Sequence, residues 1–96
     1  MFEGEKHITS GVDAKIPVEQ QERMWDMIEI ARVENELDYL HIFELSKYKS
    51  IQKIIHKQEQ PEFERQYLMA ADEIVREKVY VIDSGEYCTM LLAKEY

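Results

Sequence analysis

Residues 78 to 96 read Lys78-Val-Tyr-Val-Ile-Asp-Ser-Gly-Glu-Tyr-Cys-Thr-Met-Leu-Leu-Ala-Lys-Glu-Tyr96. Two segments rich in β-branched and aromatic residues flank Asp83-Ser84-Gly85-Glu86, and Gly85 can take the positive φ angle that a tight turn needs. The stretch therefore predicts that an antiparallel hairpin closes the chain. It indicates a fold and no particular chemistry.

The composition is that of one small folded domain. The chain has 96 residues, 45% of them hydrophobic, and only three glycines and two prolines. A chain of this length normally builds a single hydrophobic core, and so little glycine and proline argues against a long linker. We expect one domain over residues 1–96.

Charge and cysteine content restrict the partners and the compartment. Twenty acidic residues against twelve basic ones give a net charge of −8. Nucleic acids and anionic membranes attract Lys and Arg, so neither is an expected direct partner. The chain has one cysteine, Cys88, no signal-peptide pattern after Met1 and no apolar run of the roughly 20 residues that a membrane span needs. We predict a cytoplasmic protein.

A helical period runs from Val18 to about Glu34, directly after Ile16-Pro17. Residues at i, i+3, i+4 and i+7 spacing form one mainly apolar face, and they are Gln20, Met24, Met27, Ile28 and Ala31. The opposite face is acidic. The pattern predicts an amphipathic helix that covers a sheet.

The remaining segments indicate strands. Residues 39–45 and 50–57 predict a hairpin with a loop at 46–49, residues 63–69 a further strand, and residues 6–12 a weak first strand; residues 70–77 fit a helical turn or a loop. With the closing hairpin counted as one β unit, the order is β-α-β-β-β-β. We predict an α+β fold in which a mostly antiparallel sheet of about five strands packs on one amphipathic helix.

The acidic side of the helix is the candidate partner-binding surface. Ile30 and Val33 lie toward that side, where they either tuck under a loop or stand exposed among acids. A solvated helix face that keeps the protein soluble is the simple interpretation, and a site for a basic protein partner is the functional one. The predicted partner-binding residues are Glu22, Asp26, Glu29, Ile30 and Val33. Ile30, Val33 and an exposed edge strand would also allow a homodimer.

Two histidines offer a chemical alternative. Symmetric pairing about Tyr48-Lys49 would place His41 opposite His56, where two imidazoles could share a metal near Glu44. A zinc site needs three or four ligands, and neither Cys88 nor a serine has the neighbours of a catalytic triad. We therefore assign no catalytic, metal-ligating or cofactor-binding residue and expect no cofactor and no enzyme. A metal-binding or enzymatic protein centred on His41 and His56 stays as an alternative.

Several segments together are similar to a known family, and Val81–Tyr96 is the most specific of them. The others are Met1-Phe-Glu-Gly, Ile-Thr-Ser-Gly-Val at 8–12, Ile16-Pro17, Leu37-Asp-Tyr-Leu40, Phe43-Glu-Leu45, Gln52-Lys-Ile-Ile-His-Lys-Gln-Glu59 and Pro61-Glu62. They resemble the small Firmicute proteins of domain of unknown function 960. The resemblance implies a low-GC Gram-positive bacterium, or a mobile element or phage within one, and it suggests no particular activity.

That host range suggests a second hypothesis for the acidic charge. A mobile-element or phage accessory protein could mimic DNA phosphates and inhibit a DNA-binding enzyme of the host. Such mimicry predicts a continuous stripe of carboxylates and binding that weakens with salt.

Overall fold

Six strands and one main helix build the protein, whose computed structural model describes residues 1–96. The α+β prediction is confirmed, with six strands in place of about five. The elements in chain order are β1 (Glu5–Ile8), α1 (Ser10–Lys15), α2 (Val18–Glu34), β2 (Leu40–Tyr48), β3 (Ile51–Glu59), β4 (Glu62–Met69), β5 (Glu77–Asp83), β6 (Tyr87–Leu92) and a 3₁₀ turn (Ala93–Glu95).

The strands form one sheet in the order β1-β6-β5-β2-β3-β4. β1 runs parallel to β6, and all other neighbours are antiparallel. The closing hairpin is present as β5 and β6. Its Gly85 has a φ of 97°, and the Gly85 N–H donates to Asp83 Oδ1 at 3.1 Å, so the turn residues act as the sequence predicts.

The first strand is shorter than predicted, because a helix takes its second half. β1 ends at Ile8, and the Thr9 hydroxyl accepts a hydrogen bond from the Val12 N–H at 3.3 Å as the N-cap of α1. Val12 and Ile16, four residues apart, are both buried, which is the spacing of a helical face. The predicted strand over 6–12 is therefore wrong beyond Ile8.

The hairpin of β2 and β3 turns more tightly than predicted. Tyr48 pairs with Ile51, so only Lys49 and Ser50 form the turn, and Lys49 has a φ of 55°. The β2–β3 hairpin does not lie at an edge of the sheet, because β4 pairs with the outer side of β3 and β5 with the outer side of β2. β1 and β4 are the edge strands.

The core lies between one sheet face and α2, whose predicted bounds are confirmed. Met24 and Ile28 of the helix belong to the same buried cluster as Phe43, Val79 and Met90 of three strands. No element covers the other sheet face, called the open face below; its central residues are Leu40, Ile42, Ile55, Tyr80, Ile82 and Leu91, all half-buried. No helix is both long and apolar enough to cross a membrane.

Buried glutamine side chains fasten the loops to the sheet. Gln52 accepts a hydrogen bond from the Val75 N–H at 2.7 Å and donates to the Val75 carbonyl at 3.0 Å. Gln58 accepts from the Asp38 N–H and donates to the Pro61 carbonyl. Of the two structures predicted for residues 70–77, the loop is present, and β5 begins at its last residue.

Candidate functional site

The outward side of α2 carries the five predicted partner-binding residues, which we call the acidic ridge: Glu22, Asp26, Glu29, Ile30 and Val33. Steps of three and four residues place them on one side of the helix. Ile30 is 50% exposed and Val33 87% exposed. Of the two placements expected for Ile30 and Val33, tucked under a loop or exposed among acids, the exposed one is observed.

The charges of the acidic ridge are only partly neutralised. Glu29 is paired with Arg32 at 2.9 Å, and Arg32 also lies 3.8 Å from Glu3. Glu22 and Asp26 are exposed and have no ion-pair partner. The ridge therefore presents two unpaired carboxylates beside two exposed apolar side chains. The Glu29–Arg32 ion pair is exposed and contributes little to stability.

The two histidines meet, but not as cross-strand partners. The ladder pairs Phe43 with His56, so the predicted opposition of His41 and His56 is wrong by two residues, because the turn is centred on Lys49 and Ser50. A shift of two residues keeps both side chains on the same face. His41 Nδ1 lies 2.6 Å from His56 Nε2, which is a direct hydrogen bond.

Both imidazoles are fully buried within an aromatic cluster. His56 stacks on Phe43 with ring centroids 4.4 Å apart, and the rings of Phe2 and Phe63 meet the pair edge-on. Burial lowers the pKa of His41 to about 4, against a smaller opposing influence of Asp38. Burial lowers the pKa of His56 to about 3, with further contributions from His41 and Arg65. Both rings are therefore neutral near pH 7.

The contact between the rings leaves no space for a metal ion. A zinc ion between two imidazole nitrogens lies about 2.0–2.1 Å from each, whereas these two nitrogens are 2.6 Å apart in a direct hydrogen bond. No group of three or more His, Cys, Asp or Glu side chains is placed to hold a metal ion. His41 Nε2 and His56 Nδ1 have no hydrogen-bond partner, and the pair acts as part of the core.

The remaining candidate nucleophiles are Cys88 and Ser84. Cys88 is fully buried, and burial together with the charge of Asp83 raises the pKa of its thiol. A thiol with a raised pKa is a poor nucleophile because the thiolate is the reactive form. Ser84 lies exposed in the β5–β6 turn.

Two clefts on the surface are open and lined mainly by polar residues. One of about 450 Å³ lies between the start of α2 and the loop after β4, where Glu19, Asp72 and Glu73 line it. Another of about 590 Å³ lies beside the β3–β4 turn, next to Glu59 and Glu62. Neither contains a histidine, serine or cysteine.

Comparison with known proteins gives a family for this fold. Residues 5–95 match a family described as "Staphylococcal protein of unknown function (DUF960)". The chain belongs to this family. The match confirms the resemblance that the sequence segments predict and places this DUF960 protein among bacterial proteins. The description of the DUF960 family assigns no activity.

A solved structure has the same fold as this DUF960 protein. It is described as "Crystal structure of the protein of unknown function from Enterococcus faecalis", and it is 19% identical in sequence with a TM-score of 0.85. The similarity covers 97% of this chain and 91% of that chain. At this identity the likeness extends to the fold alone. A search among curated proteins found no match.

The open face is the surface that the sequence-based predictions missed. Leu40, Ile42 and Ile82 alternate with the buried residues His41 and Val81, so these strands are apolar on both sides. Strict alternation of apolar and polar residues is the usual sign of a sheet with one solvated face. The absence of this alternation in β2 and β5 was the feature of the sequence that could have indicated an apolar open face.

Proposed function

We propose that this protein is a non-enzymatic, cytoplasmic interaction module that binds a basic protein partner through the acidic ridge of α2. The observation that carries the proposal is the exposure of Ile30 and Val33 in line with Glu22 and Asp26. Charged residues provide orientation and association rate, and desolvated apolar residues provide affinity. A partner groove with basic rims and an apolar floor fits this mixture.

The mixed character of the ridge favours a protein partner over mimicry of DNA. A phosphate backbone is a regular row of negative charges. On the ridge, Arg32 pairs with Glu29, and Ile30 and Val33 interrupt the carboxylates. An inhibitor that copies DNA is therefore the second candidate, and we expect apolar contacts to contribute to binding as well as charge.

Affinity purification from the native host tests the proposal. The bait variant Glu22→Lys/Asp26→Lys reverses both unpaired charges of the ridge. The control variant Asp72→Lys/Glu86→Lys makes the same change of net charge at exposed loop residues that are not part of the ridge. Quantitative mass spectrometry should find a basic protein that the wild type and the control retain and the ridge variant loses.

The apolar half of the ridge needs its own variant. Ile30→Ser/Val33→Ser keeps the charge and removes the exposed apolar surface, so it should weaken capture of the same partner. Equal capture by wild type and both ridge variants would reject the acidic ridge as the binding site. Loss with the charge variant alone would favour the DNA-mimic candidate.

A further inference from the structure

An apolar row crosses the middle of the open face. Ile42 of β2 pairs with Tyr80 of β5, and Tyr80 pairs with Leu91 of β6. Leu40 and Ile82 form the next pair on the same face. Ile55 of β3 pairs directly with Glu44 and lies diagonally from Ile42, whose own partner is Lys57. None of these six apolar residues belongs to the buried core. The ring of Tyr96, which is 74% exposed, packs edge-on against Tyr80 at 5.4 Å and lengthens the apolar surface.

This apolar surface is large for a solvated sheet face. Antiparallel sheets that face water normally carry polar residues there. Contiguous exposed apolar patches usually mark interaction sites. Here the four inner strands β6, β5, β2 and β3 all contribute apolar side chains, so the open face has the character of one side of a sheet-on-sheet interface.

The charges beside the apolar residues fit a second copy of the same chain. Glu44 pairs with Lys78 in the ladder and forms an ion pair with Lys57 at 3.2 Å. Both signs therefore border the apolar centre, whereas the whole chain carries −8. Further carboxylates of this face lie at its margin, at Glu5, Glu59, Glu62 and Glu64. A two-fold contact places the same patch of both copies together. Because this patch carries both carboxylates and lysines, each copy can present positive charges to the negative charges of the other.

The area also fits a dimer. Six strands spaced about 4.8 Å apart, each about six residues long at about 3.3 Å per residue, give a face of about 29 by 20 Å. The projected area is therefore on the order of 600 Å², and protruding side chains add to the accessible area. A standard interface buries about 800 Å² on each partner.

We propose that two copies of this protein associate face to face through their open faces, with Ile42, Tyr80, Ile82 and Leu91 at the centre of the interface. Two stacked sheets would then enclose a second apolar layer, as in a β-sandwich. The acidic ridge lies on the other side of the sheet, so the dimer would leave both ridges free. The inference stands on a different surface and does not depend on the proposed function.

Sedimentation of the full chain tests this interface. Interfaces of standard size have dissociation constants of micromolar or below, so a dimer should be present at about 100 µM. The variant Ile42→Lys/Ile82→Lys places charges at the centre and should weaken the dimer at least about a hundredfold. The control Ile30→Lys/Val33→Lys also replaces two aliphatic residues by lysine, on the acidic ridge, and should leave the dimer intact.

Methyl NMR provides a second measurement. It uses the wild-type protein alone, so its result does not depend on whether a variant folds. The methyl signals of Ile42, Ile55 and Ile82 should shift with protein concentration, and those of buried Ile28 and exposed Ile30 should not. A monomer at about 100 µM, or a dimer that the Ile30/Val33 variant disrupts, would overturn the inference. A monomer that still captures its basic partner would overturn the dimer and leave the proposed function standing.

Discussion

His41 Nδ1 lies 2.6 Å from His56 Nε2, although Phe43 is the residue that faces His56 across the strands. The hydrogen bond therefore runs diagonally between β2 and β3, within reach of two ring side chains. One nitrogen of each ring has no partner, and the rings pack against phenylalanines on several sides. The two histidines are part of the core, and their pKa values differ between the folded and the unfolded protein.

Acid should destabilise the protein through these two rings. The unfolded histidines take up protons near pH 6.5, whereas the folded ones resist until the pH approaches their lowered pKa values of about 4 and 3. The unfolded state then binds more protons, so the free energy of unfolding falls as the pH drops below about 6.5, by about 1.4 kcal/mol per pH unit for each histidine. Urea unfolding between about pH 7 and 5 measures this, in a range where ordinary carboxylates stay mostly ionised.

Replacing both rings tests that assignment. The variant His41→Phe/His56→Phe keeps aromatic shape and removes the unpartnered nitrogens, and loss of both partners of a buried hydrogen bond is often close to neutral. We expect a folded protein whose stability at pH 7 changes by less than about 1.5 kcal/mol. Its unfolding free energy should be nearly flat between about pH 6.5 and 5. A slope as steep as in the wild type would show that other groups cause the acid sensitivity.

Gln52 should be a major determinant of the loop that leads into β5. Its amide satisfies both the N–H and the carbonyl of buried Val75. Gln52→Leu would leave two buried backbone groups without partners at a cost of about 2–4 kcal/mol. The matched control is Gln66→Leu on an exposed position of β4, where we expect a change within about 0.5 kcal/mol. Chemical denaturation of both variants gives the comparison, and equal stabilities would contradict the role of Gln52.

Lys49 is strained by its position in the β2–β3 turn. Its φ of 55° lies in the left-handed region that costs a residue with a Cβ about 1–2 kcal/mol. Lys49→Gly should relieve most of this cost, and after the greater flexibility of glycine in the unfolded chain is subtracted we expect a gain of about 0.5–1 kcal/mol in the free energy of unfolding. Lys47→Gly, within strand β2, should instead destabilise. A loss of stability with Lys49→Gly would show that the turn does not carry this strain.

The sequence predicted most of the elements and less of their pairing. The helix over Val18–Glu34 follows from its periodicity, and the β5–β6 hairpin from Gly85. The β2–β3 register was missed because its turn uses Lys49 at a positive φ, where glycine or asparagine would have marked it. The parallel pairing of β1 with β6 joins the two ends of the chain, and no local pattern encodes such a contact.

The candidate surfaces divide in the same way. The acidic ridge follows from helical spacing, since the five residues share one side of α2 whatever the helix packs on. The open face depends on which strands become neighbours. Ile42 is far in the chain from Tyr80 and Leu91, and the three residues form one row only because β5 lies between β2 and β6. Sequence periodicity shows that a strand is apolar on both sides, but not that several such strands lie together.

The parallel pair of β1 and β6 has a consequence for how the protein is made. Among the six strands, β1 leaves the ribosome first, and its hydrogen-bonding partner β6 (Tyr87–Leu92) is the last to follow. The contiguous strands β2, β3 and β4 can pair during synthesis, whereas the backbone N–H and carbonyl groups of β1 have no strand partner until β6 has been made. A nascent chain that stalls before Tyr87 would expose both β1 and the outer edge of β5, which makes such chains targets for chaperones and proteases.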